Sequence, residues 1–211
     1  MNHHTTMRLT ANIPQPAPPV IQRRRLQRVP APAKLRIAQI TPGARFESEY
    51  FPSERWHELE QYRPEMLVGS AADLHWLAEK VKTAKMRLDS VNHAIFVLTA
   101  SGDIPAADPL RVVLWRAFGV PVYELFVGVD GTVLAGECEA HEGWHVESGC
   151  RFYFLSGEEL VADSRHIKGI RTGLSGTLET QPCSCGRPST RITDVRLRPA
   201  MRNRLLLAAT A

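Results

Sequence analysis

Two segments that contain cysteine and histidine, well separated along the chain, place the strongest constraint on how it folds. The first holds Cys138 and His145, and the second holds Cys183 and Cys185. Thiolates and an imidazole in a set of four are the ligands that tetrahedral zinc takes in proteins. A Cys3His set fills four-coordinate zinc and leaves no position for a substrate or an activated water, which indicates a structural metal. The chain is therefore predicted to gather both segments around one zinc ion.

The first of these segments is predicted to be a β-hairpin. With its turn at residues 142–143, Cys138 and His145 project from the same face of the two strands, opposite or diagonal to each other. His141 is the alternate ligand, because the choice of histidine depends on the hairpin register. The second segment is a Cys-x-Cys knuckle after a proline. Cys150 lies off this pattern and is expected to be a buried or free thiol.

The chain before the cysteines alternates between strand and helix patterns. Ser53 is predicted to cap a helix that runs to about Tyr62. Strands are predicted over residues 66–68, 94–98 and 120–126, and helices over 74–81 and 109–118. This order implies a parallel sheet with helices packed on it, whereas short strands between glycine turns from Val133 onward imply antiparallel hairpins. The predicted fold class is α/β: a parallel-sheet fragment with flanking helices, then antiparallel hairpins around a zinc knuckle, preceded by a disordered arm.

The first 46 residues differ in composition from the rest, since they contain eight Lys or Arg, seven Pro and no Asp or Glu. Subtracting them from the totals of 26 basic and 22 acidic residues leaves 18 against 22, so the remainder carries about −4. Proline and like charge prevent such a segment from packing. We therefore expect a disordered Pro/Arg-rich arm over residues 1–50, an α/β domain with the zinc site over 51–198, and a C-terminal tail over 199–211.

The charge distribution and the cysteine usage bear on partners and location. The arginine run at residues 23–25 is either a solvated charge cluster or a contact for an acidic partner, and the acidic remainder does not support nucleic-acid binding. No window approaches the roughly 18 apolar residues of a membrane-spanning helix. Four cysteines, three of them in a metal-ligand pattern, favour a reducing compartment over a disulfide scaffold. A cytoplasmic protein without a membrane segment is expected.

Further short motifs follow one another in a specific order. They are PEMLVG at 64–69, FGVPVYE at 118–124, EC at 137–138, GWH at 143–145, RTG at 171–173 and CSCGR at 183–187. From about residue 56 to 196 the chain thereby resembles the middle of phenylacetate-CoA ligases and related acyl-adenylate-forming, AMP-binding synthetases. The zinc-binding positions of that family match Cys138, His145, Cys183 and Cys185. Its members use ATP to activate a carboxylate as the acyl-adenylate and then pass the acyl group to CoA or another thiol.

The resemblance fails at the positions that carry adenylation. Where the family has Tyr-Gly-x-Thr-Glu, only Asp130 keeps the charge, and the Arg-Thr-Gly-Asp motif becomes Arg171, Thr172 and a glycine followed by Leu174. Neither a glycine-rich phosphate loop upstream nor a lysine after Cys185 is found. Asp130, Arg171 and Thr172 remain as residual cofactor-binding positions. No catalytic residue is predicted, and neither ATP nor AMP is an expected cofactor.

The expected function is that of a non-catalytic, zinc-stabilised relative of phenylacetate-CoA ligase. Such a module would bind a protein partner or a small acyl or nucleotide ligand at the carboxyl ends of the parallel strands. The alternative is an acyl-adenylate-forming ligase subunit that another chain completes with the phosphate loop and the lysine. The sequence does not indicate an oligomeric state.

Overall fold

A mixed nine-stranded sheet organises residues 35–155 and 158–199, the part of the chain that the computed structural model describes. From one edge to the other, its strands cover residues 174–179, 191–197, 144–146, 133–137, 122–127, 94–99, 66–70, 37–39 and 49–50. Neighbours from the strand at 49–50 to the strand at 122–127 pair in parallel, and those from 122–127 to 174–179 pair antiparallel. A second, antiparallel sheet contains, in spatial order, residues 170–171, 159–163 and 151–155. The predicted α/β class, with parallel strands first and antiparallel hairpins after them, is confirmed.

From residue 53 to residue 127, the helices and strands follow one another in the predicted order. The first half contains β1 (Ile37–Gln39), β2 (Glu49–Tyr50), a 3-10 helix (Ser53–Glu58), α1 (Leu59–Tyr62), β3 (Met66–Ser70), α2 (Ala71–Lys82), β4 (Ala94–Thr99), α3 (Asp108–Phe118) and β5 (Val122–Val127). The second half contains β6 (Val133–Glu137), β7 (Trp144–Val146), β8 (Arg151–Leu155), β9 (Glu159–Asp163), β10 (Ile170–Arg171), β11 (Leu174–Glu179) and β12 (Arg191–Leu197).

The core of the parallel half forms between the sheet and the two longer helices. Leu67 of β3, Ile95 of β4, Leu77 of α2 and Leu114 of α3 are all fully buried in one cluster. The ends of α3 follow from local chemistry: a proline occupies its first turn, and Gly119 ends it in the left-handed conformation. A second cluster joins β5, β6 and β7 to the three-stranded sheet.

The predicted cap at Ser53 is wrong. Pro52 precedes the 3-10 helix, and no side chain caps it. The Ser53 hydroxyl instead donates to the Glu54 carboxylate over 3.2 Å. The expected single helix is a 3-10 helix followed by one α-turn, anchored where the buried Trp56 donates from its indole nitrogen to the Phe51 carbonyl oxygen over 3.0 Å. A contact made by the tertiary fold, rather than a cap, thus positions this helix.

The boundary of the predicted arm at residue 50 is also wrong, because residues 37–50 include two strands of the main sheet. Strand β1 pairs in parallel with β3, and Ala38 and Ile40 are buried in the core of the parallel half. Residues 37–40 are of mixed polarity and lie next to a basic, Pro-rich stretch, so their hydrophobic pattern is too weak to predict a strand from the sequence. Pairing with β3 decides their conformation. Residues 1–34 of the predicted arm, and all of the predicted tail except Pro199, lie outside the described residues.

Within the described ranges, no helix is both long and apolar enough to cross a membrane.

Substituting Ile40 tests whether residues 37–50 contribute to the core. Ile40 is 2% exposed and packs directly against Gly69, so Ile40→Ala should lower the free energy of unfolding by about 2 to 5 kcal/mol. Ile104 is 65% exposed, so Ile104→Ala is the matched control and should change stability by less than about 0.5 kcal/mol. Urea titrations followed by circular dichroism measure both. Equal, small effects of the two substitutions would place Ile40 outside the folded core.

Candidate metal centre

Strand β7 brings the two cysteine-containing segments together. It pairs with β6 on one side and with β12 on the other, so that His145 lies between Gly136 and Arg191. Cys138 follows the end of β6, and Cys183 and Cys185 lie in the connection from β11 to β12. Each of the four predicted ligands offers one atom, and these atoms all lie within 4.8 Å of one another.

The distances within the cluster suit a four-coordinate metal. The Sγ atoms of Cys138 and Cys183 are 3.7 Å apart, and Sγ of Cys185 lies 3.4 Å from Nε2 of His145. With metal–sulfur bonds of about 2.3 Å and metal–nitrogen bonds of about 2.0 Å, tetrahedral ligands are separated by about 3.8 Å for two sulfurs and about 3.6 Å for sulfur and nitrogen. The group could therefore hold a metal ion, with each of the four residues providing one ligand.

The thiols of the cluster differ in their environment. Burial raises the pKa of the Cys138 thiol to about 11. Burial also opposes ionisation of Cys185, but the backbone N–H of Arg187, 3.5 Å from its Sγ, contributes to a net lowering of its pKa. A bound cation favours thiolates strongly, so metal binding at this cluster releases protons.

His145 has the protonation state and the orientation of a metal ligand. Burial, together with the positive charges of Arg187 and Arg191, lowers its pKa, which favours the neutral imidazole. Its Nδ1 lies 2.8 Å from the hydroxyl of Ser189. When Nδ1 carries the hydrogen and donates it to Ser189, the lone pair of Nε2 is directed toward the thiols.

A charged network outside the cluster connects the hairpin loop to the knuckle. The Glu142 carboxylate accepts from the hydroxyl of Ser184 over 2.8 Å and from Arg191 over 2.8 Å. The buried Arg191 also donates to Glu179 of β11 over 3.0 Å. These bonds cross-link loops that are distant in sequence, which preorganises the cluster.

The hairpin has a longer loop than predicted. Glu137 pairs with Trp144, so residues 138–143 form the loop in place of a turn at 142–143. Cys138 is consequently diagonal to His145 and on the same face, as expected. His141, the alternate ligand, has a left-handed backbone in this loop and stacks on Tyr123 with ring centroids 5.3 Å apart.

Two candidate residues thus lie outside the cluster. His141 faces Glu137, with Nδ1 at 3.8 Å from its carboxylate, and the four-residue group contains His145 instead. Cys150 is half-buried, with its Sγ 3.9 Å from the carbonyl oxygen of Val133.

The three residues predicted as residual cofactor-binding positions form hydrogen bonds or an ion pair with nearby residues of the chain. Asp130 accepts from the backbone and the hydroxyl of Thr132 over 3.1 and 2.8 Å and so stabilises the turn between β5 and β6. The buried Thr172 donates to the Leu160 carbonyl oxygen over 2.6 Å and accepts from the N–H of Leu174 over 3.0 Å. Arg171 forms an ion pair with Glu159 of β9.

A buried ionic group that the sequence did not predict lies beside α3. Arg111 donates to both carboxylate oxygens of Glu137, over 2.8 and 2.9 Å, and contacts Glu124 at 3.5 Å. Glu124 is only 2% exposed and accepts from Thr99 and from the backbone N–H of Ala106. These residues line a cavity of about 610 Å³. The sequence feature that could have indicated this ionic group is Glu124, a charged residue within the otherwise apolar strand pattern of residues 120–126.

The fold is similar to that of solved acyl-CoA ligases. The chain matches a 2-hydroxyisobutyryl-CoA ligase bound to an acyl-adenylate with a TM-score of 0.61 and 13% identity, over 78% of this chain and 44% of the ligase. It matches a long-chain-fatty-acid-CoA ligase from Archaeoglobus fulgidus with a TM-score of 0.53 and 12% identity, over 84% of this chain and 46% of that one. No family model and no curated protein matches the chain.

This chain therefore shares the fold of part of an acyl-adenylate-forming ligase and spans somewhat less than half the length of these enzymes. The predicted resemblance is confirmed at the level of the fold for acyl-CoA ligases in general, whereas the finer resemblance to phenylacetate-CoA ligase stays a prediction. At these identities the likeness describes architecture and carries neither the substrate nor the activity of the ligases to this chain.

Replacing Glu159 tests whether its ion pairs with Arg171 and Arg198 have a structural role. The hydrogen bond and charge of Arg171 lower the pKa of Glu159 although burial opposes this. A carboxylate with a lowered pKa in the folded state stabilises the protein above its unfolded pKa, and this contribution is lost as the pH falls through the folded value. Glu159→Gln should therefore lower the free energy of unfolding at pH 7, and the difference should shrink below about pH 4.3.

Glu158→Gln is the control for this substitution, because Glu158 is the exposed neighbour of Glu159. Denaturant titrations at several pH values compare the two variants with the original chain. A Glu159→Gln variant as stable as the Glu158→Gln variant at pH 7 would argue against the structural role of the pair.

Proposed function

We propose that this chain is a zinc-stabilised, non-catalytic relative of acyl-adenylate-forming ligases that serves as a binding module. Phenylacetate-CoA ligase is the proposed relative within that group, because the order of the short motifs matches it. The observation that carries the proposal is Leu174, which is apolar and only 1% exposed at the position where the motif has its ribose-binding carboxylate. A buried leucine side chain cannot accept hydrogen bonds from ribose hydroxyls.

The neighbouring polar residues already form hydrogen bonds or an ion pair within the chain, which supports the same proposal. Thr172 is buried with its hydroxyl already bonded to Leu160 and Leu174, and Arg171 is bonded to Glu159. The Asp130 carboxylate is held by Thr132 within its own turn. Binding a nucleotide with these groups would require breaking local bonds that stabilise two turns.

Zinc is the metal that the donor set favours. Three thiols and one imidazole at tetrahedral separations suit zinc, whereas magnesium and calcium prefer oxygen ligands. Four protein ligands leave no open position, so the proposed role is structural. The ion would tie the β6–β7 hairpin to the loop between β11 and β12, and the ligands gather only in the folded chain. Metal binding therefore contributes to the free energy of folding.

A second candidate is an acyl-adenylate-forming ligase whose remaining parts come from another chain. The observation in its favour is the coverage of the structural match: 78% of this chain superposes on 44% of a CoA ligase, so the matched portion corresponds to part of a ligase fold. On this proposal, a partner would supply the phosphate-binding loop and the lysine.

The zinc proposal predicts one zinc per chain and a large effect of removing any ligand. Structural zinc in small peptides contributes on the order of 10 kcal/mol, and the larger core here should make the loss smaller. Cys183→Ser and His145→Ala should each release zinc and lower the melting temperature strongly. Cys150→Ser and His141→Ala are matched controls of the same residue types and should retain zinc. Metal analysis of untagged protein and thermal unfolding measure both effects.

Well under one zinc per chain, with all four cysteines freely reactive toward a thiol reagent, would reject the site. If His141→Ala released zinc and His145→Ala did not, the ligand assignment would be wrong.

The non-catalytic proposal predicts that the purified chain does not exchange radiolabelled pyrophosphate into ATP with any acid. Phenylacetate, 2-hydroxyisobutyrate and a long-chain fatty acid are suitable substrates, and a complete acyl-CoA ligase is the positive control. Exchange by this chain that is abolished by Asp130→Asn would overturn the proposal. Exchange that appears only after addition of a second polypeptide would favour the second candidate.

A further inference from the structure

The cavity beside α3 is separate from the Cys/His cluster. Its lining comes from α3, from the start of β5 and from β6, β7 and β12. Trp144 lines the cavity and stacks on Phe126, whereas its neighbour His145 belongs to the cluster. Because successive residues of a strand face opposite sides of a sheet, the cavity and the cluster lie on opposite faces of β7. A volume of about 610 Å³ is within the usual range for small-molecule sites.

The buried carboxylate of Glu124 at the floor of the cavity has remaining acceptor capacity. Arg111 is already neutralised, since both of its terminal nitrogens donate to Glu137. One oxygen of Glu124 accepts from Thr99 and from the N–H of Ala106, and its other oxygen accepts from Arg111 over a long 3.5 Å, which leaves room for a second donor. An anionic ligand would have to displace Glu137 from Arg111, whereas a donor could bond to Glu124 without breaking an existing pair.

The charges around the cavity also favour a cation. Asp108 and Asp194 line it together with Glu124 and Glu137, so four carboxylates face a single arginine, and His141 is the remaining titratable group of the lining. Burial raises the pKa of Glu124, and a positive charge next to it would keep this carboxylate ionised.

The rim of the cavity is apolar and aromatic. Trp115 and Val112 of α3 line it and are 61% and 45% exposed. Val195 of β12 contributes to the lining as well. An exposed tryptophan beside buried carboxylates can cover a hydrophobic group and can also attract a cation to its ring face.

We infer that this cavity binds a primary ammonium compound with an apolar body, its head bonded to Glu124 and its body packed on Trp115. The inference specifies a ligand for the proposed binding module and rests on that proposal. Glu124 acts as the acceptor at the floor, and the carboxylates of Asp108 and Asp194 attract the positive charge. Arg111 keeps Glu137 in place through its two hydrogen bonds.

Calorimetric titration of the full, zinc-containing chain with three probes of similar shape tests the inference. The probes are 2-phenylethylamine, the neutral 2-phenylethanol and the anionic 3-phenylpropionate. The ammonium compound should bind with a stoichiometry of one and at least about tenfold more tightly than either of the others, because only it pairs with a buried carboxylate. Equal affinities for all three, tighter binding of the carboxylate, or no binding of the amine would each overturn the inference.

Substitutions locate the site. Trp115→Ala and Asp108→Asn are on the surface of α3, should leave the chain folded, and should weaken amine binding several-fold. Glu124→Gln should weaken amine binding by at least about tenfold. If this buried variant does not fold, the two surface variants alone test the location of the site. Trp76→Ala on α2 and Asp89→Asn are matched exposed controls outside the cavity and should bind normally. Unchanged binding in Trp115→Ala and Asp108→Asn would reject this location.

The same protein preparation separates failure of this inference from failure of the proposed function. If the chain contains one zinc, shows no pyrophosphate exchange and does not bind the amine, only the inferred ammonium ligand is rejected. Pyrophosphate exchange by the isolated chain would reject the non-catalytic proposal whatever the amine result.

Discussion

The pairing of β7 with β6 on one side and β12 on the other is the interaction on which the second half of the molecule depends. It joins a hairpin to a strand that is distant in sequence, and it positions the knuckle between β11 and β12 next to the end of β6. The hydrogen bonds from Arg191 to Glu142 and Glu179 reinforce this pairing from the side chains. A three-residue strand is short for such a role, which is why the additional ionic cross-links of Arg191 matter at this point of the fold.

Strand β7 also separates two kinds of chemistry. On one face, thiols and an imidazole form a compact group with no further polar groups needed to complete a tetrahedron. On the other face, carboxylates and one arginine surround an open cavity with an aromatic rim. Four side chains at tetrahedral separations are suited to a structural role, whereas an open cavity lined by carboxylates is suited to binding a ligand. This division agrees with the proposed function as a binding module.

The fold that this chain shares with part of the acyl-CoA ligases depends on its apolar cores. Strand pairing and helix packing depend on buried apolar residues such as Leu67, Ile95 and Leu114. Leu174, which follows Arg171, Thr172 and Gly173, is buried in the second core. Such a fold does not depend on which polar residues occupy its turns, so the fold alone does not define an activity.

The sequence by itself indicated the alternation of strands and helices from β3 to β5, the three cysteines of the Cys/His cluster and the same-face relation of Cys138 and His145, since these follow from periodicity and ligand chemistry. It did not determine the loop length that removes His141 from the cluster, because hairpin register depends on pairing with β12 as well as on the turn. The placement of residues 37–50 in the sheet depended on a partner strand, β3, that lies later in the chain. Only the tertiary structure brought Arg111, Glu124 and Glu137 together around a cavity, because ionic contacts between a helix and two strands leave no periodic pattern in the sequence.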